Sequence, residues 1–275
     1  MATHLIVYGH GAGDPGAVGN GTNERDFNRK TLHPYLKKWA DKSKDSFVFF
    51  DTTGSRDMFQ ETANGWGMYS IKSSQYASVT ELHEDAASAS ATGGHVIISS
   101  SFNPDKEDLN LAQIIKKIVG WWGGVSTTKG ISFRNNLLNL NVAAQRGITY
   151  RLMELGFITS KRDMDIIKNN LDGYAQGIIE EITGEKLGSG NVSKPIVYQD
   201  KTGWYQALRD DKFYQTPDLD PKKDSWWNVV KGQRIWVSKV VKVGKDGKYT
   251  RAAISFDGVT RYCTLRDDFW KYLGK

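Results

Sequence analysis

Cysteine is nearly absent. The single thiol, Cys263, excludes an intrachain disulfide in this chain of 275 residues, so stability has to come from core burial or a bound metal. Long apolar runs are absent too. None approaches the ~18 residues of a membrane span, so no membrane segment is expected. The opening MATHLIVYGHGAG lacks the basic start and the apolar stretch of a secretory signal. A product made in the cytoplasm, reaching any outside target by another release route, is the expectation. Signatures of covalent hydrolysis are missing as well. There is no G-x-S-x-G, and the lone cysteine has no histidine near it in sequence. Nor is there an H-E-x-x-H pair on one helix.

Two residue types are missing from one end only. All five histidines precede residue 96, and residues 188–275 contain no glutamate. That segment holds 17 Lys and Arg against 10 Asp, a net +7, which leaves −1 for residues 1–187. The asymmetry predicts two domains with different tasks. Between them GEKLGSGNVSKP, residues 184–195, is rich in Gly and Ser and reads as a linker. The expected division is a first domain over 1–185, a linker over 186–195 and a second domain over 196–275.

What is present fits a folded chain: 39% of residues are hydrophobic and 12% aromatic. Residues 5–8, 46–51, 78–83, 95–99 and 151–155 read as strands. Helical stripes lie between them. Leu32, Tyr35, Leu36 and Trp39 share one face; Leu111, Ile114, Ile115 and Ile118 another. Ile167, Leu171, Tyr174, Ile178 and Ile182 form a third, expected on the last helix before residue 184. Pro34 should kink or restart the first helix. Strands alternating with helices predict an α/β domain with a mixed, mainly parallel sheet flanked by helices. After residue 195 the pattern changes. Residues 235–243 are β-branched and aromatic, GKDG at 244–247 signals a turn, and 248–256 reads as the partner strand. A small all-β domain is expected there.

Three side chains of the first domain invite a metal. His10 sits where a strand opens into GHGAGDPGA, Glu24 follows that loop, and His83 ends the strand SVTELH. Two imidazoles and one carboxylate would give zinc three ligands and leave a position for water. Spacing alone leaves plainer readings open. A histidine at a strand end is often a surface or core residue, and Glu24 suits a helix N-terminus. Glu154 lies among Leu152, Met153, Leu155, Phe157 and Ile158. A carboxylate in that setting either has a partner, with Arg151 or Arg134 available, or acts as a base of raised pKa.

Together, YGHGAGDPGA, NERDF, LHEDAA and RLMELGFI resemble the zinc-dependent N-acetylmuramoyl-L-alanine amidases of the type 3 class, over about residues 4–183. The arrangement with a C-terminal attachment domain resembles bacteriophage endolysins of Gram-positive hosts. The resemblance implies His10, Glu24 and His83 as zinc ligands, Glu154 as the catalytic carboxylate, and a site at the strand ends. It implies cleavage of the amide between muramic acid and the L-alanine of the stem peptide, with Glu154 moving the proton. Glu84-Asp85-Ala86 is more acidic than the family pattern; Glu84 either supports the site or faces solvent. Residues 102–132, with Trp121 and Trp122, match no motif, and a core role is favoured over a substrate groove. The alternatives are a zinc peptidase acting within the stem peptide and a non-catalytic wall-binding protein.

Residues 196–275 hold Trp204, Trp226, Trp227, Trp236 and Trp270. Most such aromatics fill a small core, though a basic aromatic surface can stack on sugars or bind polyanions. The pattern alone also suits single-stranded nucleic acid. In composition the segment resembles the SH3-like wall-binding modules of endolysins. Peptidoglycan and anionic wall polymers are therefore the expected partners, with no nucleic acid and no membrane; the oligomeric state is open.

Overall fold

The computed structural model describes residues 1–188, 197–219, 228–244, 247–256 and 258–275. The chain divides into two units, Met1–Ser193 and Lys194–Lys275. The predicted linker lies mostly outside the described residues, as do Trp226, Trp227 and the centre of the predicted GKDG turn.

In chain order, the first unit has strand β1 (Thr3–Tyr8), a short hairpin of β2 (Val18–Gly19) and β3 (Thr22–Asn23), and helix α1 (Glu24–Asp26). A π-helical turn, Phe27–Leu32, leads to α2 (His33–Ala40). There follow β4 (Ser46–Phe50), α3 (Met58–Ala63), β5 (Ser78–Asp85), β6 (His95–Ser99), α4 (Lys106–Ile118), β7 (Ile131–Arg134), α5 (Leu138–Gln145), β8 (Tyr150–Phe157), α6 (Lys161–Asn169) and α7 (Leu171–Thr183). The six long strands form one sheet in the order β4-β1-β5-β8-β6-β7. All neighbours are parallel except β6 against β8. The architecture is the expected mixed, mainly parallel sheet flanked by helices.

Both faces of the sheet are covered, which explains the near-continuous apolar runs of its strands. Ile6, Tyr8, Leu82, Met153 and Leu155 pack against α2, α4, α6 and α7. Leu5, Val7, Val79, Ile97 and Leu152 pack against α3 and α5. Toward the C-terminal end of β5, this second face turns polar: Val79 is followed by Glu81, His83 and Asp85 at alternate positions. The candidate site begins there.

Several expectations need adjusting. Pro34 does fall in the first turn of a new helix, α2, but the preceding turn is π-helical and buries Phe27, Asn28, Arg29 and Leu32 together. Tyr35 is exposed, unlike Leu32, Leu36 and Trp39, because it lies at the margin of the stripe. Ile167 belongs to α6; a break at Asn170 separates it from Leu171 and the rest of its stripe. Residues 102–132 supply α4 and lead into β7, and the Trp121 indole donates to the Ala112 carbonyl at 2.7 Å.

At the opposite end of the sheet from the site, Arg151 is fully buried. Its guanidinium donates to Asp105, Glu107 and Asp108 around the start of α4. This ties β8 to α4.

The second unit contains β9 (Gly203–Ala207), β10 (Asp211–Lys212), β11 (Asn228–Val229), β12 (Arg234–Val237), β13 (Lys239–Val243), β14 (Tyr249–Phe256), β15 (Val259–Thr264) and β16 (Trp270–Gly274). It is all antiparallel, with sheets β12-β9-β16 and β13-β14-β15 and a ribbon β10-β11. The run 235–243 breaks at Ser238 into two strands of different sheets, and β14 pairs with β13 as expected. Tyr205, Phe213, Val237, Cys263, Leu265 and Trp270 fill the core.

Losing one partner of a buried ion pair costs about 3–5 kcal/mol, whereas an exposed pair is worth at most about 1 kcal/mol. Arg151→Met should therefore destabilise the first unit by about 3 kcal/mol in urea denaturation. Lys38→Ala removes the exposed pair with Asp172 and should cost less than about 1 kcal/mol. Equal losses would show that the Arg151 network does not hold β8 to α4.

Candidate metal centre

β1 ends at Tyr8, and the chain turns sharply through Gly9, His10 and Gly11. His10 has φ 63° and Ala12 φ 48°, left-handed values that are strained for residues with a side chain. What holds them is Arg29, buried beneath the turn. Its guanidinium donates to the carbonyls of Tyr8, Gly9 and His10 at 3.1, 3.1 and 2.7 Å, and its Nε to the Asp51 carbonyl at 2.9 Å. The π-helical turn brings Arg29 inward while α1, one turn earlier, presents Glu24. Asn23 caps α1 by accepting from the Asp26 amide at 2.9 Å.

Glu24 is where the segments meet. Its Oε1 accepts from the Ala17 amide at 2.8 Å and lies 3.2 Å from His10 Nε2. Its Oε2 accepts from the Glu84 amide at 3.0 Å and lies 3.1 Å from His83 Nδ1. Burial alone would raise the pKa of Glu24, but the bonds to His10 and His83 outweigh it and hold the carboxyl well below the usual range. One donor atom from each of His10, Glu24 and His83 lies within 4.8 Å of the others. The three expected ligands are thus brought together.

Each imidazole is oriented from behind by a carboxylate that the sequence reading did not single out. Asp14 Oδ2 lies 2.8 Å from His10 Nδ1, and Glu81 Oε1 lies 3.1 Å from His83 Nε2. Glu81 also accepts from Asn139 at 3.0 Å and from the Tyr150 hydroxyl. Burial would raise Glu81; His83, Tyr150 and Asn139 together keep it low. Burial would lower His83, but Glu24 and Glu81 on either side raise it well above its ordinary value. The signal for both was present: Glu81 precedes His83 by two, hence shares its face of β5, and Asp14 follows His10 by four within a tight turn.

The residues fit a divalent cation. Two imidazoles and a carboxylate converge, each imidazole has its second nitrogen fixed by a carboxylate, and the surrounding acidic groups favour positive charge. His10 would present Nε2 and His83 Nδ1, the nitrogens that face Glu24. Both histidines line a cleft of about 270 Å³, together with Asp14, Glu81, Asp57, Phe59 and Leu137.

Glu154 lies on β8 directly across from His83 on β5 and His95 on β6. The arginine partner considered from the sequence is not there: Arg151 is engaged at the other end of the sheet. Oε2 of Glu154 is buried without a hydrogen-bond partner. Burial, with Asp85 and Glu24 nearby, pushes its pKa up to about 8, against the opposing pull of His83. Glu84 faces neither solvent nor the cleft. It is buried on the other face of β5 and accepts from Asn28 at 2.9 Å. Its own amide is the group that bonds Glu24. His95, not singled out from the sequence, lies beside Glu154, and its ring is 5.2 Å from that of Trp122, for which a core role was favoured over a substrate groove.

A layered α/β sheet with a His-Glu-His donor set and a half-buried, unpartnered carboxylate gathered near the C-terminal ends of its strands defines a candidate metallohydrolase. The chain belongs to the N-acetylmuramoyl-L-alanine amidase family Amidase_3, which matches residues 5–184. It is 46% identical over 200 residues to "Probable autolysin PH" of Staphylococcus aureus, covering 68% of this chain and 40% of that protein. The chain thus spans well under half the length of that curated relative. The catalytic domain of CD27L endolysin, targeting Clostridia difficile, aligns with TM-score 0.54 and 18% identity over 68% of this chain and all of that one. The CwlD amidase from Clostridioides difficile, in complex with the GerS lipoprotein, aligns with TM-score 0.50 and 17% identity over 67% of this chain and all of that one. At such identities these two likenesses show the fold alone.

Gly9 makes room for the site. A Cβ there would lie 2.2 Å from His83 Cε1, and the ring, fixed by Glu24 and Glu81, has no free rotamer to yield. Gly9→Ala should keep the far-UV signature of the fold while binding divalent zinc at least tenfold more weakly in a chelator competition, the scale on which ligand-orienting contacts matter. Unchanged affinity would mean that His83 is not held as described.

Proposed function

We propose that this chain is a zinc-dependent peptidoglycan hydrolase that cleaves the amide between the lactyl group of N-acetylmuramic acid and the L-alanine of the stem peptide. The observation that carries the reading is the convergence of His10, Glu24 and His83 with Glu154 in register beside His83. Family membership supplies the substrate class.

His10, Glu24 and His83 would hold the zinc. Bound there, the ion would polarise the scissile carbonyl and make water a nucleophile near neutral pH. Glu154 takes the proton of the attacking water and delivers it to the leaving amine nitrogen of alanine. Its raised pKa suits both halves of that transfer. Asp14 and Glu81 fix the ring orientations of His10 and His83, and Arg29 fixes the backbone from which His10 projects. We also assign catalysis to residues 1–185 and wall attachment to residues 196–275, joined by a linker over 186–195, as in a lytic enzyme of the endolysin kind. The support is the basic charge of the second unit and its separate core. No helix among the described residues is long and apolar enough to cross a membrane.

Three outcomes are expected. Elemental analysis should find one zinc per wild-type chain and little in His83→Ala; equal zinc in both would remove His83 from the ligand set. Glu154→Gln keeps the shape and removes the proton acceptor, so wall hydrolysis should fall ~10²–10⁴-fold with zinc retained. A rate within threefold of wild type would overturn the role of Glu154. Mass spectrometry of the products should show stem peptides with a free N-terminal alanine and intact glycan. Cuts inside the stem peptide would instead mark a peptidase.

A further inference from the structure

Alternation along β9 and β12 divides the aromatic residues of the second unit. Tyr205, Ala207, Ile235 and Val237 point to the core, which Phe213 and Trp270 also help to fill. Trp204 and Trp236 take the other face. They lie directly opposite one another across the two strands, with ring centroids 5.5 Å apart at 65°, and they remain 46% and 43% exposed. The core does not use these rings.

Their neighbours on the same face have one sign of charge. Gln206 pairs with Arg234 on one side and with Lys271 on the other, and both cations are exposed. Among the described strand residues of this face there is no carboxylate. Leu273, at the bulge of β16, adds an exposed apolar side chain beside the rings. A face of this kind suits a ligand with apolar sugar surfaces and regularly spaced anions. Indole faces cover sugar C–H groups, and a guanidinium matches phosphate oxygens.

We propose that the outer face of β12-β9-β16, centred on Trp204 and Trp236, docks a phosphate-bearing glycopolymer of the bacterial wall. The inference rests on the wall-hydrolase reading above and names its attachment surface. Single-stranded nucleic acid also combines rings with phosphates, and it usually stacks bases on aromatic side chains in succession. Here the two rings contact each other edge to face, so no base fits between them, and a ligand lies across their outer surfaces. Sugars meet that geometry better.

The test uses the full chain. Purified walls, and the same walls stripped of phosphate polymers by acid, are titrated with the wild type, with Trp204→Ala/Trp236→Ala and with Arg234→Gln/Lys271→Gln, and the pelleted fraction is measured. Each double variant should bind intact walls at least tenfold more weakly, and the wild type should lose the same factor on stripped walls. Both variants should cleave a soluble muropeptide within twofold of the wild-type rate. The charge variant keeps both rings, so it carries the test if the tryptophan variant does not fold. A wild type that binds walls but cleaves no muropeptide would count against the amidase reading and leave the docking result standing. Wild-type binding by the folded variants, undiminished binding of the wild type to stripped walls, or release from intact walls by oligothymidylate at matched phosphate concentration would each overturn the proposal.

Discussion

Four donors from separate parts of the chain converge on one carboxylate. The amides of Ala17 and Glu84 and the imidazoles of His10 and His83 all face the two oxygens of Glu24. The loop after β1, the start of α1 and the end of β5 are fixed relative to one another through that group. A buried carboxylate is costly without such partners, so the arrangement holds as a unit. The strained turn at His10 belongs to the same unit, because Arg29 holds its carbonyls from below while Glu24 meets its ring from above.

Much of this was legible in the sequence, and what was not has a physical reason. The five strands read from apolar runs are all present: four are buried on both faces, and β4, a partly exposed edge strand, is marked by its run of Phe and Val. β7 was missed; its ISFR has only two buried residues, both at its start. α3 has six residues, too few for a helical period to emerge. α5 alternates Leu138 and Leu140 with Asn139 and Asn141 and buries Asn139 along with its apolar residues, so it carries little amphipathic signal. His10 and His83, which we propose as ligands, stand at strand ends, a position visible in the sequence. Asp14 and Glu81 were overlooked because a carboxylate that orients a ring leaves no mark in composition, only in spacing.

The second unit shows the same limit in reverse. Its tryptophans look alike in sequence, yet Trp270 is wholly buried while Trp204 and Trp236 lie half in water. Alternation along a strand decides the difference, and alternation is readable only once the register of β9 against β12 is known.

The direction of β6 has a consequence for how its start is held. Because β6 runs against β8, it starts at the end of the sheet where β5 stops, and residues 86–94 never leave that end. A parallel β6 would have required a crossover to the far edge, locking the connection under a helix. Here the segment is a short connection at that end, tied at Ala87 to Thr159 and at Gly93 to Asp163. The start of β6 is thereby anchored to the turn and helix that follow β8, the strand that carries Glu154.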